Sequence, residues 1–364
     1  MRNTTKRFRF RPLTPIHIGS GERLAVEEYI IDEKRKELVR LNVPELLRKL
    51  SPTDRRNFES AIDQGRLRDA QQLLHKPWNS ATDAQRRSLE RYRTRVGEGS
   101  YEQLRQILQH EQRSGEVMIL PRNELSGEVI IPGSSIKGAL RTAVVSYLAN
   151  LPNSPRPELK GCQKGSEVEQ RVLGYSQRDL EKDPFRHVSV SDSVWPASEV
   201  QIDRPRLRKL GREDEQTSGV QMHAERLLSA ADGASPSTVI EISLHEPNGR
   251  RAPGVRLTWD EVLDACRSFY EERSRTERNH FKPLIKKFDN MWCEQFEPEL
   301  QKGAILIRVG RFCHFDSLSI DNLRRKPGKT SQLQQHDIGS TRTMCEISQD
   351  IQVPFGWALL EPSA

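Results

Sequence analysis

Apolar and basic residues alternate at Phe8-Arg9-Phe10-Arg11, the period-two pattern of a half-buried strand. Pro12 and Pro15 make it an edge or broken strand, which leads into Ile16-His17-Ile18 and the turn Gly19-Ser20-Gly21. Tyr29-Ile30-Ile31 and Leu38-Val39-Arg40-Leu41 flank the charged run from Asp32 to Glu37 and predict a β-hairpin. From Asn42 the pattern turns helical. Asn42 with Glu45, Ser51-Pro52, and Thr82 with Gln85 are helix starts, and the polar span from about 44 to 115 reads as a helical insertion into a sheet-based fold. Its arginines (Arg55-Arg56, Arg86-Arg87, Arg91, Arg93, Arg95) are expected on a solvated face.

Strands return at Val117-Met118-Ile119-Leu120 and Val129-Ile130-Ile131. The second runs through Pro132-Gly133-Ser134-Ser135 into a helix over 136–149, whose apolar positions Ile136, Leu140, Val144 and Leu148 present one face to a sheet. A Pro/Gly/Lys loop follows at 152–166, and the segment from His187 to Ser193 is a further strand and turn. Val239 to Leu244 alternates as a strand, Thr258 with Glu261 caps a helix running toward Phe288, and Ile305–Val309 and Phe355–Leu360 are strands. The predicted class is α+β, with two ferredoxin-like (β-α-β-β-α-β) halves: residues 1–200, carrying the insertion, and residues 201–364.

Composition narrows the classes. The chain of 364 residues is formally +7, with 58 Lys+Arg against 51 Asp+Glu, which permits a polyanionic partner without requiring one. A mean hydropathy of −0.73 points to much loop, helix surface or interface around an apolar core. No stretch approaches the roughly 18 apolar residues of a membrane span, and MRNTTKRFRFRPL lacks a signal-peptide core, so a cytoplasmic location is expected. Cys162, Cys266, Cys293, Cys313 and Cys345 form no CxxC pair, so neither a disulfide framework nor a zinc site is suggested, and no cofactor or metal is expected.

Two glycine loops carry the candidate chemistry. In His17-Ile18-Gly19-Ser20-Gly21, glycines bracket a serine after a strand, a segment able to turn successive N–H groups toward an anion; taken alone, a tight turn where only glycine fits is the better explanation. Gly133-Ser134-Ser135-Ile136-Lys137-Gly138 places Gly-Ser-Ser at a helix N-terminus, where free amides and the helix dipole favour phosphate and the serines can cap the helix or donate to a ligand. Lys137 and Arg141 share a helix face, which suits a phosphodiester chain. The Walker A pattern fails, since Lys137 precedes Gly138 and no hydroxyl follows, and only 6% aromatic residues argues against base stacking as the main grip. Arg308 and Arg311 bracket Gly310 as further candidates for backbone contact; Arg204 to Lys209 and Arg324-Arg325-Lys326 are basic loops of lower rank.

Together, L-T-P-I-H-I-G-S-G (13–21), I-P-G-S-S-I-K-G-A-L-R-T (131–142), V-S-V-S-D-S (188–193), I-R-V-G-R-F (307–312) and F-G-W-A-L-L (355–360) resemble the RAMP superfamily of CRISPR proteins. The resemblance is nearest to the type III-A (Csm) effector subunit that caps the complex at the 3′ end of the guide RNA. It implies ferredoxin-like folding, guide-RNA backbone binding through the Gly-Ser-Ser-Ile-Lys-Gly loop, and contact with the repeating backbone subunit and the small subunit. Maturation nucleases are further candidate partners. Target-cutting subunits of the superfamily carry a catalytic Asp after the first glycine loop; here Glu22, Glu27 and Glu28 stand there, with no Asp before Asp32. The late glycine-rich loop is also degenerate, with Arg311-Phe312-Cys313 after Gly310.

The resemblance thus implies a non-catalytic RNA-binding subunit. Its main alternative is a metal-independent endoribonuclease processing the guide precursor, with His17 as general acid/base and Lys137 stabilising charge. A third alternative is a structural α+β protein whose glycine loops are only turns.

Overall fold

The computed structural model describes residues 4–109, 115–152, 159, 162, 164–210, 222–246, 255–320, 338–348 and 350–363. The basic cluster Arg324-Arg325-Lys326 and most of the 152–166 loop lie outside these residues.

The chain is α+β, and its core is a five-stranded antiparallel sheet. In spatial order the strands are Ile305–Arg308, Trp357–Ser363, Thr4–Pro12, Thr238–Leu244 and Val188–Val190. The first strand, expected at an edge, sits instead at the centre, with Phe10 opposite Leu360 on one side and Thr238 on the other; Pro12 is its last residue and Pro15 lies beyond it, so neither interrupts the ladder. Pairing therefore crosses residue 200, joining the beginning of the chain to its end. Alternation in the first strand sorts its side chains: Phe8 and Phe10 are buried, while Arg7 and Arg9 are exposed on the opposite face.

The helix Gly133–Asn150 and the helical run from Trp259 to Met291 pack against the apolar face. Thr258 starts the second run with the expected capping box: its hydroxyl accepts from the Glu261 N–H, and the Glu261 carboxylate accepts from the Thr258 N–H. Tyr270 ties the two together, its hydroxyl donating to the Ala139 carbonyl at 3.0 Å.

A seven-stranded mixed sheet lies beside this core, ordered Arg23–Leu24, Val117–Met118, His223–Leu227, Val200–Asp203, Glu90–Val96, Glu37–Leu41 and Tyr29–Asp32. The expected hairpin is its edge, with Ile30 opposite Val39. The insertion is helical over Val43–Lys49, Pro52–Asp63, Leu67–Ser80 and Asp83–Leu89, but Glu90–Val96 is a strand. Arg91 and Arg95 are exposed on this strand, as a solvated face requires, while Arg93 is half-buried. Arg93 is bound by Glu90 at 2.9 Å, Asp32 at 2.9 Å and Glu37 at 3.3 Å. Arg206–Lys209, expected in a loop, is a strand paired with Thr341–Ser348, and Arg206 meets Glu346 at 3.1 Å.

Candidate nucleic-acid interface

Three strands of the central sheet, Thr4–Pro12, Val188–Val190 and Ile305–Arg308, run in one direction, because each is antiparallel to a shared neighbour. The segments that leave their C-terminal ends are 13–21, 191–193 and 309–312, so the motifs scattered along the sequence gather at one end of one sheet.

The first and last of these segments interlock through backbone. Arg311 donates its N–H to the His17 carbonyl at 2.9 Å, Gly356 donates to Pro15 at 2.9 Å, and Val309 donates to Gly356 at 2.9 Å. Gly310 has φ +104°, and a Cβ there would stand 2.6 Å from the His17 carbonyl oxygen, so this position requires glycine. Phe312 stacks on His17 at 5.6 Å and on Phe355 at 4.9 Å. The turn at 19–21 is itself bonded: Ser20 sends both its N–H and its hydroxyl to the Ile119 carbonyl at 3.2 Å. One amide of the expected anion nest is therefore already used. Gly19, Ser20 and Gly21 remain exposed, as does Arg311, whose side chain has no ion pair among the described residues.

His17 is only 1% exposed. Its Nδ1 lies 2.6 Å from the Glu225 carbonyl oxygen. Burial outweighs the nearby Glu225 and lowers the pKa of the ring, holding it neutral. Glu225 is fixed in turn by Arg122 at 2.7 Å, by the Thr94 hydroxyl at 3.1 Å and by the Leu120 N–H at 3.0 Å.

The second loop begins the helix Gly133–Asn150. Pro132 is the N-cap and supplies no side-chain bond, so neither serine caps the helix as expected. Asp192 does so from the V-S-V-S-D-S segment, its carboxylate accepting the Gly133 N–H at 2.7 Å. A Cβ on Gly133 would stand 2.1 Å from the Val190 carbonyl oxygen, so this glycine serves close packing of helix on strand end. Gly138 differs, since a Cβ there would meet nothing within 4 Å. Ser134 and Gly138 are exposed, Ser135 and Lys137 half-buried, and none of their side chains has a hydrogen-bond or ion-pair partner among the described residues. Burial, with the Arg141 charge added, lowers the Lys137 pKa against the opposing pull of Asp183.

Two expected contact residues are committed to partners within the fold, Arg141 half-buried and Arg308 fully buried. Arg141 is held by Asp183 at 2.9 Å and 3.0 Å, by Glu169 at 2.9 Å and by the Tyr175 hydroxyl at 2.8 Å, against the ring of Phe185. Arg308 is fully enclosed: Glu277 binds it at 2.8 Å, Ser317 at 3.2 Å and the Phe355 carbonyl at 3.0 Å. Glu277 also binds Arg342 at 2.7 Å and the Trp357 indole at 2.7 Å, and Arg342 meets Asp316 at 2.8 Å. Arg308 therefore anchors the loop after it and presents no charge to a ligand. His314, farther along this loop, adopts φ +58° and accepts the Thr343 N–H at 2.7 Å through Nε2.

What remains at the surface at one end of an α+β core is a set of donors without partners among the described residues, namely two serine hydroxyls, an ammonium and a guanidinium, beside Gly138, which packing does not require. A family model described as "RAMP superfamily" matches residues 9–296, and the chain belongs to that superfamily. Over 73 residues it is 40% identical to the "CRISPR system Cms protein Csm5" of Methanocaldococcus jannaschii, a match covering 18% of this chain and 16% of that protein. The fold is similar to a chain in "Cryo-EM structure of Csm-crRNA-target RNA ternary complex in type III-A CRISPR-Cas system", with a TM-score of 0.60 and 16% identity over 98% of this chain and 100% of that one. "Crystal structure of T.onnurineus Csm5" matches with a TM-score of 0.49 and 17% identity over 83% of this chain and 89% of that one. Among the described residues no helix is long and apolar enough to cross a membrane.

Proposed function

We propose that this chain is a non-catalytic subunit of a type III-A (Csm) CRISPR effector that holds the sugar–phosphate backbone of the guide RNA near its 3′ end and caps the assembly there. The observation that carries this is the uncommitted cluster Ser134, Ser135, Lys137 and Gly138 at a helix start, with Arg311 and the exposed 19–21 turn at the same end of the sheet. Hydroxyls, an ammonium and a guanidinium on ordered backbone suit phosphates read without regard to base. Membership of the RAMP superfamily and likeness to a chain from a Csm–crRNA complex support the assignment. The partners are then the guide RNA, the backbone RAMP subunit and the small subunit.

The central sheet with its two covering helical runs is proposed as a ferredoxin-like unit. Four of its strands lie in the spatial order Trp357–Ser363, Thr4–Pro12, Thr238–Leu244 and Val188–Val190, and Ile305–Arg308 adds an edge. Nuclease chemistry is not part of the proposed role. Transphosphorylation needs a base on the 2′-hydroxyl together with an acid on the leaving oxygen, and His17, with its Nδ1 held by the Glu225 carbonyl at 2.6 Å, offers one ring nitrogen only.

Binding of a labelled single-stranded RNA across a salt series tests the assignment. If Z phosphates are contacted, log K falls with log salt at a slope of roughly −0.7Z. Salt-independent binding, or none, would overturn it. Incubation with repeat-containing RNA should leave the RNA intact; cleavage abolished by His17→Ala would install the nuclease instead.

A further inference from the structure

We propose that His17 Nε2 accepts a ribose 2′-hydroxyl through the gap left by Gly19, making the first glycine loop the element that distinguishes RNA from DNA. This rests on the RNA-binding assignment above and adds a chemical discrimination to it.

The tautomer follows from one contact. The Glu225 carbonyl can only accept, so Nδ1, 2.6 Å away, must carry the proton, and Nε2 is left with a bare lone pair. That atom is buried and has no hydrogen-bond partner among the described residues. An acceptor enclosed without a donor is costly, and such atoms in native proteins call for a specific explanation. A Cβ built on Gly19 would stand 3.4 Å from Nε2, and Gly19 itself is exposed. The Cβ position that glycine leaves empty therefore lies in contact distance of Nε2.

The ligand group must donate, which excludes a phosphodiester oxygen. It must also be small and attached to a charged backbone, because Arg311, an exposed cation, is tied by its own N–H to the His17 carbonyl at 2.9 Å. A donor beside an anion, repeating along a chain, is the 2′-hydroxyl beside its phosphate. Nε2 is closed to solvent in the free chain, so contact requires a small rise of the 19–21 turn. That rise gives up the two Ser20 bonds to the Ile119 carbonyl, both at 3.2 Å, and pivots at Gly21, whose φ of +89° and open Cβ position leave room for it.

The experiment measures affinity of the full chain for one sequence made as RNA, as DNA and as 2′-O-methyl RNA, which keeps the ribose but cannot donate. Wild type should prefer RNA over both by roughly tenfold, about the effect of one good hydrogen bond lost. His17→Leu should abolish the preference. Gly19→Ala, a change at an ordinary backbone position that sets a methyl beside Nε2, should also abolish it, and it carries the test should His17→Leu not fold. Equal affinities in wild type, 2′-O-methyl RNA binding as well as RNA, or a preference undiminished in Gly19→Ala would overturn the inference while the RNA-binding assignment stood. Wild type failing to bind any of the three would overturn both.

Discussion

Lys137 and Arg141 stand one helical turn apart on the same helix, yet Arg141 is clasped by Asp183 at 2.9 Å and Lys137 has no ion pair among the described residues. Sequence spacing makes them equivalent; the fold does not.

Their substitutions should therefore separate. Lys137→Ala should weaken binding to all RNA sequences about equally and reduce the salt slope by about 0.7, with little change in thermal stability. Arg141→Ala leaves Asp183 and Glu169 without their cation, and should destabilise the fold by about 2 kcal/mol while leaving the slope of the folded fraction unchanged. Equal loss of slope in both would place Arg141 on the RNA after all.

The two glycines of this loop make a second contrast. Gly133→Ala drives a Cβ to 2.1 Å from the Val190 carbonyl oxygen, where only backbone displacement makes room, so it should lower the melting temperature sharply. Gly138→Ala meets nothing within 4 Å and should stabilise the helix by about 0.5–1 kcal/mol. If RNA backbone lies against this position, the same change should weaken binding. A Gly138→Ala protein that is more stable and binds as well as wild type removes Gly138 from the interface.

Glu277 is the centre of the buried network behind the Gly310 loop, taking Arg308 at 2.8 Å, Arg342 at 2.7 Å and the Trp357 indole at 2.7 Å. Glu277→Gln keeps the shape but leaves two buried guanidinium groups short of charge, which should cost about 3–5 kcal/mol in urea unfolding. A loss below about 1 kcal/mol would mean that Asp316 alone balances them.

Acid should unfold the protein early. Burial, with the Arg204 charge added, holds His223 down to about 4. Burial together with Arg342 and Arg308 holds His314 down to about 3. Both are neutral when folded and ordinary when unfolded, so below the usual histidine value near 6.5 the unfolded chain binds more protons. Stability is full above that pH and falls as pH drops toward the folded values, with a slope approaching about 2.7 kcal/mol per unit for the pair. Urea midpoints at pH 7, 6 and 5 should fall in sequence; a midpoint constant down to pH 5 would contradict the neutral, enclosed state of both rings.

Much of the core was legible because its signals are local. Alternation at 8–11 and 239–244, the Thr258 capping box and the four-residue rhythm from Ile136 each fixed an element. The strand Glu90–Val96 was missed because Arg91, Arg93 and Arg95 dominate its composition, although Thr94 and Val96, on the other face, are buried. His223–Leu227 gave no apolar signal, since its charges are neutralised inside: Glu225 by Arg122 and Arg226 by Asp203 at 2.7 Å. No local pattern tells that residues 4–12 pair with 357–363, because that register is set by the assembled core. The site was half legible for the same reason. Glycine and serine loops show themselves in sequence, but whether an arginine is free depends on distant carboxylates such as Asp183 and Glu277. The function of V-S-V-S-D-S, with Asp192 capping a helix 59 positions earlier, could be seen only in three dimensions.

Photocrosslinking of a single-stranded RNA to the full chain, with the attached peptides identified by mass spectrometry, bears most directly on where the polynucleotide lies. Attachment within 17–21, 132–138 and 310–312, lost as salt rises and reduced in Lys137→Ala, is the expected result. Attachment confined to the helical insertion or to the far end of the sheet, with those three segments unmarked, would contradict it.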